Sequence, residues 1–248
     1  MHLSGQDQGN DVELPEKALV PGGRVMITMN DFERPRPPTV LNEHEMLIKA
    51  LECTKPLRFA VAESSTELEA VYRLRYQAVT EREWVQPEDF PDGLERDVYD
   101  SRSVHIVGWD GDLLVASTRI VLPAPGCLLP VEEAFDVRIA PIGQTAEISR
   151  SIVARAYSTI QHRVFKALIV KASLEACALG MTHLCGTHTR SMIRLERMLG
   201  CRFTPLGDKK QYWGEVRYPY VLSLEEIAPL VAERWYREMS ENQIQSGR

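Results

Sequence analysis

One stretch decides the fold: Val104-His-Ile-Val-Gly-Trp-Asp-Gly-Asp-Leu-Leu-Val-Ala-Ser-Thr-Arg-Ile-Val-Leu122. Apolar residues dominate positions 104–109 and again positions 113–122, and the pair Asp110-Gly111 lies between these two runs. An Asp-Gly pair between two such runs favours the tight turn of a β-hairpin, because both central residues of that turn need a positive φ. The stretch therefore predicts a β-hairpin.

Strand and helix patterns alternate on both sides of this hairpin. Before it, residues 42–53 predict a short helix, residues 57–62 a strand, and Ser65 or Thr66 the start of a second helix. After it, the patterns predict strands at 146–153 and 182–186 and helices at 159–179 and 190–199, each strand preceding its helix. Two extended segments follow at 202–205 and 212–222, and a closing helix at 223–239. This order predicts an α/β protein with a mixed sheet of six or seven strands flanked by helices.

Length and composition indicate one globular domain. The 248 residues can bury one sizeable core, and 44% hydrophobic with 26% charged residues is the composition of an ordinary globular protein. We expect a flexible N-terminal lead at residues 1–41, a single domain at residues 42–240 and a tail at residues 241–248. The five cysteines are irregularly spaced, so we expect reduced thiols and not a disulfide framework.

The charge of the chain excludes some classes of partner. A net charge of -6 argues against a nucleic-acid-binding protein, which needs a concentrated basic surface. The sequence has neither an apolar run long enough for a membrane span nor a basic-then-apolar signal pattern, so we expect a cytoplasmic protein without a membrane span. The acidic residues concentrate in residues 81–112, and the lysines and arginines concentrate in residues 148–195. The basic stretch is either a solvated face or a surface that attracts an acidic partner.

Several common catalytic signatures are missing from the sequence. It contains no Gly-rich phosphate loop, no G-x-S-x-G and no H-E-x-x-H, so a kinase, a simple Rossmann enzyme and an α/β-hydrolase are not expected. Cys177, His183, Cys185 and His188 match no common zinc spacing. We therefore expect no metal site.

Glu147 is the first candidate catalytic residue. On the predicted strand, Glu147 and Ser149 point to one face, whereas Ile148, Arg150 and Ile152 point to the other. An ionised glutamate in the middle of a sheet is costly unless it is paired. Two interpretations stay open: a salt bridge at a strand end, or a carboxylate at the bottom of a cleft whose basicity is raised by partial burial.

A second set of charged residues needs mutual partners. Arg119 lies within an apolar strand and Arg75 within a predicted helix, and Asp97 and Asp100, in the acidic stretch before the hairpin, are their candidate partners. These four residues are either a scaffold of ion pairs or an acidic entrance for a cationic substrate, and both interpretations can hold together.

The order of these motifs resembles a known superfamily. The ordered series is Arg73-Leu-Arg-Tyr-Gln77, Trp84, Glu95-Arg-Asp-Val-Tyr-Asp100, Arg119-Ile-Val-Leu122 and Glu147-Ile-Ser-Arg150. It resembles the core of the acyl-homoserine-lactone synthases. Residues 74–77, 87–95, 100–105, 205–207 and 212–214, with Pro219, are more similar to the N-acyl amino acid synthases and exosortase-associated acyltransferases of the same superfamily. The similarity covers about residues 57–227.

The resemblance implies a GNAT-like fold, a mixed, V-shaped β-sheet flanked by helices with an acyl donor in the cleft. It implies an N-acyltransferase that moves a fatty acyl group from acyl carrier protein to the amino group of an amino acid or a similar small-molecule acceptor. Two alternatives stay open: an acyl-homoserine-lactone synthase that uses S-adenosylmethionine, and a non-catalytic regulatory protein that binds acyl carrier protein. Val79 stands where the lactone synthases have an aromatic residue of their S-adenosylmethionine pocket, so the acceptor stays open.

The resemblance also implies roles for individual residues. The catalytic pair is Glu147, as the base, with Arg150 in its surroundings; the substrate-binding residues are Arg75, Trp84, Asp97, Asp100 and Arg119. A backbone N–H of Ile152 or Val153, exposed by a β-bulge, would stabilise the oxyanion. We expect no tightly bound cofactor, and the acyl-phosphopantetheine of acyl carrier protein is the expected co-substrate.

The donor prediction has independent support in the sequence. A coenzyme A enzyme of this fold would place a Gly-rich phosphate-binding loop after Val153, but this chain has Arg155-Ala-Tyr-Ser-Thr159. Acyl carrier proteins are acidic, and a basic surface would hold one by charge. The candidate docking residues are Arg155, Arg163, Lys166, Arg190 and Arg194.

Overall fold

The computed structural model describes residues 54–198 and 201–226, together with Glu45, Leu47, Ile48 and Leu51. The predicted lead, the tail and all but the first residues of the closing helix lie outside these described residues. The strands are β1 (Arg58–Val61), β2 (Ser103–Asp110), β3 (Leu113–Val121), β4 (Thr145–Val153), β5 (His183–His188), β6 (Thr204–Pro205), β7 (Lys210–Tyr212) and β8 (Glu215–Ser223). The helices are α1 (Ser65–Thr80), α2 (Pro130–Phe135), α3 (Gln161–Ala178) and α4 (Arg190–Met198).

The described strands form one mixed sheet in the order β1-β2-β3-β4-β5-β8-β6, and β7 pairs with β8. The sheet has eight strands, not the six or seven expected, because residues 212–222 are not a single extended segment. They contribute to a hairpin of β7 and β8 that turns at Trp213 and Gly214. The predicted α/β fold, a mixed sheet flanked by helices, is confirmed.

The central strands β4 and β5 pair in parallel over three residues only. Thr145 to Glu147 pair with His183 to Cys185, whereas the rest of β5 pairs with β8 and the rest of β4 pairs with β3. The two central strands therefore part beyond Glu147, as a V-shaped sheet requires.

Helices cover both faces of the sheet. On one face, α3 buries Val164, Leu168, Ala172 and Ala176 against the strands, where Ile148 of β4 is among its neighbours. On the other face, Leu74 and Ala78 of α1 pack on Ile152. The face of β4 that carries Ile152 is therefore the α1 face.

Helix α1 begins where the sequence predicts, to within one residue. The Ser64 hydroxyl accepts from the Glu67 N–H at 3.2 Å, and the Glu67 carboxylate accepts from the Ser64 N–H at 3.0 Å. This reciprocal capping box satisfies N–H groups that have no partner within the helix. The same helix carries Arg75 on its buried side, where a guanidinium requires acidic partners.

A β-bulge interrupts the pairing of β3 with β4. Ser117 pairs with Ile152 and Arg119 pairs with Ser149, so Thr118 lies opposite two residues of β4 instead of one. Arg150, one of these two, has a φ of 54°, a left-handed conformation that costs energy for a non-glycine residue. The expected alternation is therefore wrong after Ser149: the extra residue moves Arg150 and Ile152 to the α1 face.

Candidate active site

Six charged side chains form a closed ring of alternating sign on the α1 face of the sheet. In order around the ring they are Arg75, Glu95, Arg150, Asp97, Arg119 and Asp100. Each carboxylate contacts two arginines, and each arginine contacts two carboxylates. The ring therefore carries no net charge, and its members come from α1, β3, β4 and the loop before β2.

Hydrogen bonds fix the ring on all sides. Arg75 donates through Nε to Glu95 and through Nη1 to Asp100 Oδ1 at 2.7 Å. Nη1 of Arg119 donates to the same Asp100 oxygen at 2.9 Å and to Asp97 Oδ1 at 2.5 Å. Arg150 closes the ring, since its Nη2 lies 3.1 Å from Glu95 Oε1 and 3.3 Å from Asp97 Oδ2.

The ring is buried on one side and open on the other. The side chains of Arg75, Glu95 and Arg119 are 1% exposed, whereas that of Asp97 is 26% exposed. Arg150, at 12%, is the next most exposed member. The buried members support the scaffold interpretation, and the edge formed by Asp97 and Arg150 is where a cationic substrate can meet a carboxylate.

The electrostatics of the ring follow from burial and charge together. Burial alone would raise the pKa of Asp100, but the hydrogen bond from Arg75 and the charges of Arg75 and Arg119 outweigh it and lower that pKa to about 2. Burial lowers the pKa of the neighbouring His105 to about 4, so this imidazole is neutral at pH 7 although its Nε2 lies 3.6 Å from Asp100. The arginines thus keep Asp100 ionised in the interior.

Glu147 lies on β4 with its carboxylate in the protein interior. The residue is 3% exposed, and its Oε2 accepts from the backbone N–H of Val131 at 2.6 Å. Burial raises the pKa of Glu147 to about 8, although the Val131 bond and the charges of Arg119 and Arg150 act against this rise. A carboxylate with a pKa near the working pH has the property that a general base needs.

A second buried glutamate fixes the segment that contacts Glu147. The Glu132 carboxylate accepts from the N–H of Leu129 at 2.9 Å and from the N–H of Ile139 at 3.1 Å. It thereby ties together the two ends of the segment that contains α2. The Val131 N–H is held in place as a result.

The predicted oxyanion donors lie at the end of β4, beyond its bulge. The Ala154 N–H donates to Val115 O at 2.8 Å, so by alternation the Ile152 N–H faces β3 and the Val153 N–H faces away from it. Val153 is six residues from Glu147, and the bulge at Arg150 and Ser151 lies between them. The assignment of Ile152 or Val153 as the oxyanion donor stays a prediction.

Trp84 lies against the turn of the β7–β8 hairpin. The guanidinium groups of Arg82 and Arg217 lie 5.4 and 5.2 Å from the centre of its indole. A Cβ atom added to Gly214 would lie 2.1 Å from the Trp84 ring, so the glycine backbone and the indole are in close contact. Its role in substrate binding stays a prediction.

Sequence reasoning missed Glu95, Trp213, Val131 and Glu132 as parts of the site. Glu95 could have been found by charge balance, because Arg75, Arg119 and Arg150 need three carboxylates. Trp213, which lies over Arg150, had only the weak turn signal of the following glycine. A backbone donor such as the Val131 N–H has no sequence signal.

The candidate docking residues cluster at one edge of the sheet. Arg155 follows β4 and Arg190 follows β5, and parallel strands end at the same edge. Arg163 lies in the first turn of α3, which starts at that edge, and Arg194 lies one turn further along α4. These four side chains are exposed, whereas Lys166 is half-buried.

The part of the chain that the structure describes has neither a candidate metal site nor a candidate membrane span. There, no three His, Cys, Asp or Glu side chains are grouped so that they could hold a metal ion. No helix among these residues combines the length and the apolar character needed to cross a bilayer.

Three solved structures with a similar fold are synthases of low sequence identity. FeeM, an N-acyl amino acid synthase from uncultured soil microbes, is 16% identical with a TM-score of 0.55, over 69% of this chain and 92% of that one. BjaI, a CoA-dependent acyl-homoserine lactone synthase, is 22% identical with a TM-score of 0.55, over 68% of this chain and 81% of that one. The acyl-homoserine lactone synthase LasI is 16% identical with a TM-score of 0.56, over 69% of this chain and 93% of that one.

Sequence comparison gives a narrower result. A search of curated proteins found no significant match. Residues 74–168 match the family of acetyltransferase (GNAT) domains, a segment that contains all six residues of the ring as well as Glu147. This segment of the chain is similar to GNAT acetyltransferase domains, and the prediction of a GNAT-like fold is confirmed.

Proposed function

We propose that this protein is an N-acyltransferase that moves a fatty acyl group from acyl carrier protein to the amino group of an amino acid or an amino-acid-like acceptor. One observation carries the proposal: Glu147, with a pKa of about 8, lies on the central strand close to a charged ring whose open edge presents Asp97. Aminolysis of a thioester needs this combination, an anion that attracts an ammonium group and a base that deprotonates it.

The reaction is an aminolysis without a covalent enzyme intermediate. The ammonium group of the acceptor binds at Asp97 and loses a proton to Glu147, through a water molecule because the Glu147 carboxylate is buried. The amine nitrogen then attacks the thioester carbon and the C–S bond breaks; the nitrogen loses its second proton, and the leaving thiolate takes up one proton to become a thiol. Arg150 contacts Asp97 and Glu95, so we assign it to positioning Asp97 in addition to its charge near Glu147.

The oxyanion of the tetrahedral intermediate needs a donor near Glu147. A bulge leaves the backbone of one residue without a partner in the sheet, and here the bulge consists of Arg150 and Ser151. An N–H of this bulge is three or four residues from Glu147, a separation that a tetrahedral centre and one water can span. Such a donor typically contributes about 3 kcal/mol to transition-state stabilisation.

The segment after β4 supports acyl carrier protein as the donor. Residues Arg155–Ile160 form a 3₁₀ helix; the N–H of Tyr157 bonds to Ala154 O, and that of Gln161, the residue after the helix, bonds to Ser158 O. These two N–H groups bond within the segment, which contains no glycine of the kind that lets a loop approach a pyrophosphate. The exposed Arg155, Arg163, Arg190 and Arg194 at the same edge suit an acidic carrier.

Val79 supports an amino-acid acceptor over S-adenosylmethionine. It is 2% exposed and packs in the core, so it offers no aromatic surface to an adenosyl group. The alternative, an acyl-homoserine-lactone synthase, is favoured by the similarity to BjaI, which was solved with S-adenosylmethionine and isopentyl-CoA.

One incubation separates these functions. The protein is mixed with acyl-loaded carrier protein, a pool of amino acids and S-adenosylmethionine, and the products are identified by mass spectrometry. An N-acyl amino acid supports the proposal, whereas an acyl-homoserine lactone with methylthioadenosine supports the alternative. Product from acyl-CoA but not from the acylated carrier would overturn the donor assignment. No product with any acceptor would favour a regulatory protein that only binds acyl carrier protein.

A further inference from the structure

Trp213 occupies an unfavourable backbone conformation at the turn of the β7–β8 hairpin. Its φ is 49° and that of Gly214 is 71°, the pattern of a type I′ turn. Glycine adopts this conformation without cost and asparagine at little cost, but a bulky tryptophan does so only where its surroundings compensate. Such outliers cluster at functional sites, so the contacts of this side chain are informative.

The Trp213 indole lies directly over the guanidinium of Arg150. The Arg150 Cζ is 3.8 Å from the centre of the Trp213 ring, the shortest of the cation–π distances among the described residues. Arg150 is itself left-handed, with a φ of 54°. The ring and the guanidinium that stack here therefore belong to two non-glycine residues with a costly backbone conformation. Trp213 lies in a hairpin turn and Arg150 in the bulge of β4.

The turn that carries Trp213 is anchored from outside the hairpin. The Gly214 backbone packs on the Trp84 ring so closely that a Cβ atom there would lie 2.1 Å away. The Arg217 Nε donates to Tyr212 O at 3.0 Å and closes the base of the turn. These contacts hold the indole over the Arg150 guanidinium, whose Nη2 contacts Asp97.

We infer that Trp213 is a positioning residue for the acceptor: its indole holds the Arg150 guanidinium against Asp97 and covers the open edge of the charged ring. Without the indole, Arg150 could swing toward solvent, and Asp97 would lose its 3.3 Å contact with Nη2. Trp84 acts one step further away by supporting the turn. This inference rests on the proposed function, because that function places the acceptor ammonium at Asp97.

The test uses a substitution that removes the indole but favours the turn. Trp213→Asn creates an Asn-Gly pair, the preferred sequence for this turn, so the variant should melt at or above the wild-type temperature. We expect the KM for the acceptor to rise about tenfold, because the cation–π contact is lost, with the KM for the acylated carrier unchanged. Trp213→Phe keeps an aromatic face and should restore most of the acceptor affinity. The control is Val216→Thr on the exposed side of the same hairpin, which should behave as wild type.

Two results would overturn the inference. The first is a Trp213→Asn variant whose acceptor KM stays at the wild-type value; the second is a variant in which both KM values rise together. A nuclear magnetic resonance measurement separates this failure from failure of the proposed function, since it needs no turnover. The ring current of Trp213 should displace the Arg150 Nε–H resonance in the wild type, and an unchanged resonance in Trp213→Asn would rule out the contact.

Discussion

Replacing Glu147 by glutamine tests the buried carboxylate directly. Burial raises the pKa of Glu147 to about 8 from an ordinary value of 4.5. The folded protein therefore binds this proton more tightly than the unfolded chain does. A folded-state pKa above the unfolded one means that the free energy of unfolding is greatest at low pH and falls as the pH rises from about 4.5 to about 8.

The expected magnitude follows from the size of this shift. Between the two pKa values, each pH unit lowers the free energy of unfolding by about 1.4 kcal/mol. From about pH 6 to about pH 8, the wild type should therefore lose about 2 kcal/mol relative to the Glu147→Gln variant, which has no proton to release. Glutamine can still accept the Val131 N–H bond, so both proteins should fold.

Urea unfolding of both proteins at these two pH values measures the difference. The matched control is Glu69→Gln, which removes a surface carboxylate whose side chain is 57% exposed and keeps Glu147, so its free energy of unfolding should fall with pH as that of the wild type does. The reasoning is refuted if the stability difference between wild type and Glu147→Gln is the same at both pH values. In the acyl-transfer assay, the wild-type rate should rise with pH to a plateau near the pKa, and Glu147→Gln should be slower by about 100-fold.

Three further predictions concern the charged ring and the basic edge. Asp97→Ala should abolish acyl transfer, and wild-type turnover in the folded variant would contradict its role in binding the acceptor. Arg75→Met should lower the free energy of unfolding by about 3 to 5 kcal/mol in urea denaturation, because it leaves Glu95 with an incompletely compensated buried charge; a loss below about 1 kcal/mol would show that the ring is not structural. Arg194→Glu should raise the KM for acylated carrier protein, and it should do so more at low salt than at high salt. The control Arg73→Glu, on α1, should leave this KM unchanged, and equal effects of the two variants would exclude docking at this edge.

The sequence predicted those elements whose signals are local. Asp110-Gly111 predicted the hairpin of β2 and β3, whose turn lies one residue later, at Gly111 and Asp112, and Gly180 predicted the end of α3. Each of these signals depends on the conformation of one or two residues, so it is legible without the rest of the chain. The alternation of apolar residues around Glu147 likewise placed β4 to within one residue.

The features that could not be predicted depend on contacts between distant segments. The bulge at Arg150 places the residues after it on the opposite face from the one that an unbroken strand would give them. Neither a glycine nor an asparagine at this position indicates a left-handed residue in the sequence. The sequence predicts one extended segment at residues 212–222 and not a hairpin at Trp213, because tryptophan rarely adopts the left-handed conformation that the turn needs. The partners of Arg150 are also remote, since Glu95 is 55 positions away in the chain. Such a contact follows from the topology of the sheet and not from spacing.

The closed ring has a consequence for how this site can change during evolution or engineering. With three cations matched to three anions, any single charge-altering replacement leaves an odd charge in the interior, and the penalty falls on folding before it reaches catalysis. Viable routes to a new acceptor therefore pass through paired exchanges, an acid together with an arginine, or through the rim where Asp97 meets solvent. Libraries that randomise positions one at a time will sample mostly the rim.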